Sequence, residues 1–168
     1  MKRLRNTSFQ ALLIVASILC AGVSGVAQTA EGPVQPIDFS HRIHAGDNKI
    51  SCLYCHTGAN RSISAGVPSV GTCAECHRFL KLKSPEIQKV LKYWETKQPI
   101  TWTRVYSVPD YVYFSHKRHV RAGVACQSCH GEVQQVDRVS QQSSLTMGWC
   151  LQCHEQRQAP RECDTCHK

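Results

Sequence analysis

Apolar and polar positions divide the chain into stretches of unlike pattern. Residues 6–30 carry no charge, and Ala11 to Cys20 is apolar apart from Ser17. Basic Lys2, Arg3 and Arg5 precede this run, and small residues follow it up to Gly25-Val26-Ala27. Residues 1–30 therefore read as a signal peptide or an N-terminal transmembrane anchor. An uncharged length of 25 residues can span a bilayer, which takes roughly 20. The weakly apolar second half (Gly22, Ser24, Gly25, Gln28, Thr29) favours cleavage instead. Cys20 reads as an apolar filler of this segment, because Leu19 is not the small residue that lipidation would need.

After the leader, a helical apolar stripe occurs at Ile87, Val90, Leu91 and Trp94. Ser84-Pro85-Glu86 is a helix start, with an N-cap serine, proline at the first helical position and an acid in the first turn. Pro99 is expected to end that helix. Ile100 to Tyr106 then alternates like an extended segment, and Val108-Pro109-Asp110 turns the chain into Tyr111-Val-Tyr113-Phe114. Residues 81–113 thus form a linker with one amphipathic helix. Its aromatics suit either packing against a cofactor or docking of another subunit.

On both sides of the linker the pattern repeats. Phe39-Ser-His41-Arg-Ile-His44 and Phe114-Ser-His116-Lys-Arg-His119 each lead through a glycine-containing loop (Gly46, Gly123) into Cys-x-x-Cys-His. That pentapeptide occurs five times, at Cys52/Cys55/His56, Cys73/Cys76/His77, Cys126/Cys129/His130, Cys150/Cys153/His154 and Cys163/Cys166/His167. The copies use ten of the eleven cysteines. Each is an attachment signature for a c-type haem: two thiols add to the two vinyl groups, and the histidine lies under the iron. Zinc sites and a disulfide framework also use closely spaced cysteines, but neither requires a histidine after every second one. The reading is five covalently bound haems, with a dihaem module at 31–80, the linker at 81–113 and a trihaem module at 114–168.

Composition changes the expected architecture. About 138 residues beyond the leader must surround five haems with few aliphatics, so the core is expected to be porphyrin. The fold class is a small multihaem cytochrome, mostly irregular, with short α-helices wrapped around haems and a hydrophobic N-terminal helix. Folding should depend on the cofactor, as in small metal domains. Twenty basic and twelve acidic residues give a formal charge of +8. Three positive charges lie in the leader, leaving +5. Ten haem propionates would bring the domain to roughly −5, so the lysines imply no nucleic-acid partner.

Five six-coordinate irons need ten axial ligands. The motifs supply His56, His77, His130, His154 and His167. The four other histidines, His41, His44, His116 and His119, all lie in the repeated Phe-Ser-His-x-x-His element. Met147 is the only methionine besides the initiator, and it brings the count to ten. A methionine can instead fill a gap in a core, but it is also an established axial ligand of c-type cytochromes.

The element Phe-x-His-x-x-His followed by Cys-x-x-Cys-His motifs and a Cys-x-x-Cys-His-Lys tail resembles the class III multihaem cytochromes, most fully over residues 114–168. The resemblance implies the pairs His116/His130, His119/His154, Met147/His167, His41/His56 and His44/His77. Met147 stands where that family usually has a histidine. Over about residues 35–155 the chain is also similar to the pentahaem subunit of alternative complex III, a bacterial quinol-oxidising membrane complex. The stretches that carry this are Phe39 to Asn48, Ser84 to Lys89, Val112 to His116 and Met147 to Cys150. The likeness implies an anchored subunit on the periplasmic face of the cytoplasmic membrane. Its implied partners are an iron–sulfur subunit related to molybdopterin oxidoreductases, integral quinol-binding subunits and a monohaem cytochrome c. In that setting the chain relays electrons and is not itself an enzyme. A free periplasmic shuttle and a multihaem reductase are the alternatives. A reductase would need an iron with an open axial position, and the count of ten ligands leaves none.

Overall fold

A computed structural model describes residues 32–168. The expected leader or anchor lies outside the described residues. No helix among the described residues is long and apolar enough to cross a membrane.

The first repeated element forms a π-helical turn, Arg42–Asp47. Helices follow at α1 (Cys52–Cys55), α2 (Val70–His77), α3 (Pro85–Glu95), α4 (His116–Arg121), α5 (Gln127–His130), α6 (Met147–Gln156) and α7 (Cys163–Cys166). A 3₁₀ turn, Val133–Gln135, lies between α5 and α6. The described residues form no strand, only an isolated antiparallel bridge between Val112 and His167.

Each attachment motif includes a helical turn, because Cys and Cys three residues apart must project from one face. Caps fix where these turns begin. The Ser51 hydroxyl accepts from the Leu53 amide, Ser69 from Thr72, and Thr146 from Trp149, satisfying amides that no helical carbonyl can reach.

Helix α3 starts at Pro85 as the sequence predicts, but Pro99 does not end it. It closes at Glu95, four residues earlier, in a Schellman turn: Lys97 takes φ 55°, its amide donates to the Trp94 carbonyl, and the Gln98 amide reaches back to Tyr93. Pro99 only follows a helix that is already capped. The extended segment after it pairs with a side chain in place of a strand. The Gln35 amide group accepts from the Thr103 N–H at 2.9 Å and donates to the Thr103 carbonyl at 3.0 Å.

The apolar stripe of α3 packs on α2, the helix that carries the second motif. Val90 is 4% exposed. A Cβ on Gly71 would stand 3.3 Å from the Trp94 ring, so the glycine permits this approach. The Glu86 carboxylate accepts from the Asp38 amide at 2.8 Å, tying α3 to the chain just before the first histidine element. Val90→Ala in the haem-loaded protein should cost about 2 kcal/mol, from lost transfer energy and the cavity left behind. Chemical denaturation checks this, with the exposed Lys89→Ala expected within about 0.5 kcal/mol of the parent.

The apolar side chains buried among the described residues are Ile37, Ala59, Ala74 and Val90. Large ones such as Phe79 (75% exposed) and Tyr111 (62%) lie open.

Candidate haem-binding sites

The two Phe-Ser-His-x-x-His elements have nearly the same side-chain geometry, although one is π-wound and the other α-helical. The Phe39 ring meets His41 edge-on (4.9 Å, 85°) and stacks on His44 (4.4 Å, 23°). Phe114 does the same to His116 (4.8 Å, 89°) and His119 (4.6 Å, 28°). The phenylalanine orients two imidazoles one helical turn apart, so each element can serve two sites. The loop glycines are needed for different reasons. Gly123 has φ +74°, whereas a Cβ on Gly46 would collide with the Gln134 carbonyl.

The histidines stand in facing pairs. Ring centres are 6.0 Å apart for His44 and His77, 6.3 Å for His116 and His130, and 6.0 Å for His119 and His154. Two imidazoles on opposite sides of one iron should have centres roughly 6 Å apart, given metal–nitrogen bonds of about 2 Å and a further ångström or so from each nitrogen to its ring centre. A pair also matches the two axial positions that a porphyrin leaves open, whereas structural zinc takes four ligands. These are three of the pairs implied by the class III resemblance. His41 and His56 are electrostatic neighbours. Burial, helped by His56 and His44, pushes the His41 pKa down to about 4. Its ring is therefore neutral, as a metal ligand must be. Its Nδ1 is buried with no hydrogen-bond partner. Met147 lies at the first position of α6, 64% exposed.

Backbone carbonyls fix the tautomers. Nδ1 donates to the Ser40 carbonyl from His44 (2.8 Å), to Gly66 from His56 (2.7 Å), to Leu80 from His77 (3.4 Å) and to Ile63 from His116 (3.0 Å). It donates likewise to Ser115 from His119 (2.8 Å), to Pro160 from His154 (2.6 Å) and to Tyr111 from His167 (3.4 Å). A carbonyl can only accept, so the proton is on Nδ1 and the Nε2 lone pair is free for a metal. Ser40 and Ser115 are the same position of the repeated element, four residues before His44 and His119, whereas nothing in the sequence marks the other five carbonyls. The turn closing α6 is an example: the Ala159 amide returns to the His154 carbonyl at 2.8 Å, with Gln158 at φ 53°, and this brings the Pro160 carbonyl to the ring.

The linker aromatics also reach the sites. Tyr106 packs edge-on against His130 at 4.5 Å, and its hydroxyl donates to the Ser140 carbonyl. Tyr111 lies 5.8 Å from the His167 ring.

The polypeptide covers the ten motif cysteines unevenly. Cys52, Cys55, Cys73, Cys126, Cys129, Cys150 and Cys166 are half-buried, whereas Cys76, Cys153 and Cys163 are exposed. The sequence treats the ten alike, and in this the structure departs from it. Cys153 shows why: it lies on α6, a helix with no buried residue, so no core closes over the second thiol of the fourth motif. Its charge is still felt at Cys129. Burial raises the pKa of Cys55, Cys73, Cys126, Cys129 and Cys150, with neighbouring thiols adding to it.

These residues fit haem. Imidazoles paired about 6 Å apart and thiols on single helical turns are what a covalently attached porphyrin requires. Such a group supplies one-electron transfer without making or breaking bonds. The chain's part is to hold it, orient both imidazoles and cover its faces.

Comparison with known proteins points the same way. Residues 112–168 match the family described as cytochrome c7 and related cytochrome c. The chain is 29% identical, over 161 aligned residues, to the multihaem cytochrome c subunit of menaquinone reductase from Nitratidesulfovibrio vulgaris, covering 80% of this chain and 77% of that protein. Motifs, histidine pairs and both likenesses agree: the chain is similar to multihaem c-type cytochromes, in its C-terminal third to the cytochrome c7 group, and electron transfer through covalently held haem is the activity this supports.

Proposed function

We propose that this chain is a pentahaem c-type cytochrome that relays electrons as a subunit of a membrane-bound, quinone-linked oxidoreductase complex. The observation that carries the relay is the set of facing histidine pairs, with ring centres 6.0 to 6.3 Å apart and, in every ring of the three pairs except His130, Nδ1 held by a backbone carbonyl. In this reading the thiols of the five motifs hold the haems, the exposed Cys76, Cys153 and Cys163 included. His56, His77, His130, His154 and His167 are the proximal ligands, with His41, His44, His116, His119 and Met147 opposite them. Filled axial positions favour electron transfer over substrate chemistry.

The complex is supported by the likeness to a menaquinone reductase subunit over most of both chains, and by the similarity to alternative complex III. The two differ in the direction of electron flow, toward quinone in one and from quinol in the other. Native purification tests membership: integral subunits and an iron–sulfur subunit should co-purify after a salt wash. Recovery of the haem-loaded chain alone in the soluble fraction would instead indicate a free shuttle. Adding a menaquinol analogue to the purified complex then decides direction, since rapid haem reduction supports the quinol-oxidising form.

Met147 has its own test. Met147→His should lower one midpoint potential, by a fraction of the roughly 0.8 V that axial ligands command, and leave the others in place. A redox titration indistinguishable from the parent's would remove Met147 from the ligand set.

A further inference from the structure

The two modules touch through equivalent residues. In the repeat, Arg42 corresponds to Lys117, and Ser62 corresponds to Val136, each six residues past the histidine of its motif (His56, His130). The Arg42 amide donates to the Val136 carbonyl at 2.9 Å, and the Lys117 amide donates to the Ser62 carbonyl at 3.0 Å. The first module grips the second as the second grips the first. This is the reciprocal pattern of a two-fold interface, here within one chain.

Other contacts follow the same plan. Ser40 Oγ and the Arg42 guanidinium bind the Asp137 carboxylate. On the reciprocal side, both the amide and Nδ1 of His116 donate to the Ile63 carbonyl, at 3.1 and 3.0 Å. Cys52 and Cys126, the first thiols of the first and third motifs, are again equivalent residues. Their sulfurs are electrostatic neighbours. The second motif faces elsewhere. It lies on α2 against α3, with its His77 opposite His44 and its Glu75 taking the Tyr54 hydroxyl at 2.9 Å.

We infer that the first and third haem sites are apposed across an internal pseudo-two-fold axis, and that electrons cross between modules there. The spatial order then begins second, first, third, and departs from the order in the chain. The second site, braced by the linker helix, becomes the outer end of the wire on the dihaem side. In the crossing step the first site is oxidised and the third reduced by one electron, or the reverse. The arrangement also ties the second module to the first: the Ile63 carbonyl of the first orients His116 of the second.

The inference rests on haem attachment at these motifs, and its test separates the two. Intact mass of the full chain gives the haem count, and fewer than five would overturn the attachment reading itself. In the fully loaded protein, stepwise reduction followed by NMR of the haem methyls, assigned with His77→Met and His154→Met, gives the interaction within each haem pair. The strongest inter-module interaction is expected between the first and third sites. A stronger one between the second and third would overturn the order. Paired deletions give a second reading by flash reduction. Cys52→Ala with Cys55→Ala should slow exchange between modules far more than Cys73→Ala with Cys76→Ala does. The opposite result would restore chain order.

Discussion

Produced without haem attachment, the chain should fail to fold. The far-UV spectrum should be that of an unfolded polypeptide, with no cooperative melting and rapid proteolysis, whereas the loaded protein melts cooperatively. Among the described residues the buried apolar side chains are Ile37, Ala59, Ala74 and Val90, too few to offset the backbone entropy of ordering the chain. Hydrogen bonds in short, exposed helices do not make up the difference. Porphyrin faces would supply the missing apolar surface, and thioether links would restrict the unfolded chain as disulfides do. A native-like spectrum from the haem-free chain would show that the polypeptide carries a core of its own.

Carbon monoxide should not bind the reduced parent protein but should bind His119→Ala. In the parent each iron is expected to have both axial positions filled, so the Soret band stays in place. His119 faces His154 at 6.0 Å, with Phe114 stacked on one side and the Ser115 carbonyl holding its Nδ1. Alanine at 119 leaves the opposite side of the His154 site open. The variant should gain one carbon monoxide per chain while keeping all its haems. A clear shift in the parent would indicate an open iron and favour the reductase reading. An unresponsive variant would mean that His119 is not the ligand opposite His154. Phe114→Ala is the finer companion. It removes the ring that stacks on His119 and meets His116 edge-on, so both neighbouring sites should become less well ordered while keeping their ligands.

Much of the candidate site was legible because its chemistry is local. Two cysteines and a histidine within five residues need only a helical turn to present a thioether pair and an axial ligand, and each copy has such a turn. The Phe-Ser-His-x-x-His repeat was legible for the same reason. Its two histidines lie one turn apart, and the phenylalanine reaches both from two residues before the first. What covers each thiol was not legible. Cys129 is half-buried and Cys153 exposed although both are the second thiol of a motif, because cover comes from packing against distant segments. The helix of the linker was found by its stripe, but its end was misplaced. The Schellman turn at Lys97 needs a positive φ that lysine does not advertise, whereas Pro99 does advertise a stop. The alternating segment after it was read as extended. Its partner, the side-chain amide of Gln35, could not be read, because a side chain standing in for a strand leaves no pattern.

By itself, then, the sequence determined the five Cys-x-x-Cys-His motifs, the histidine supply and their two-plus-three distribution about the linker, which are patterns of residues a few positions apart. Only the tertiary structure decided how the modules meet and which carbonyls reach His116 and His167. Five of the seven carbonyls lie three to ten positions from their imidazole, in caps and turns, whereas Ile63 and Tyr111 lie 53 and 56 positions from theirs and reach them only through tertiary packing. The same packing brings Cys52 to Cys126, while the second motif packs on α3.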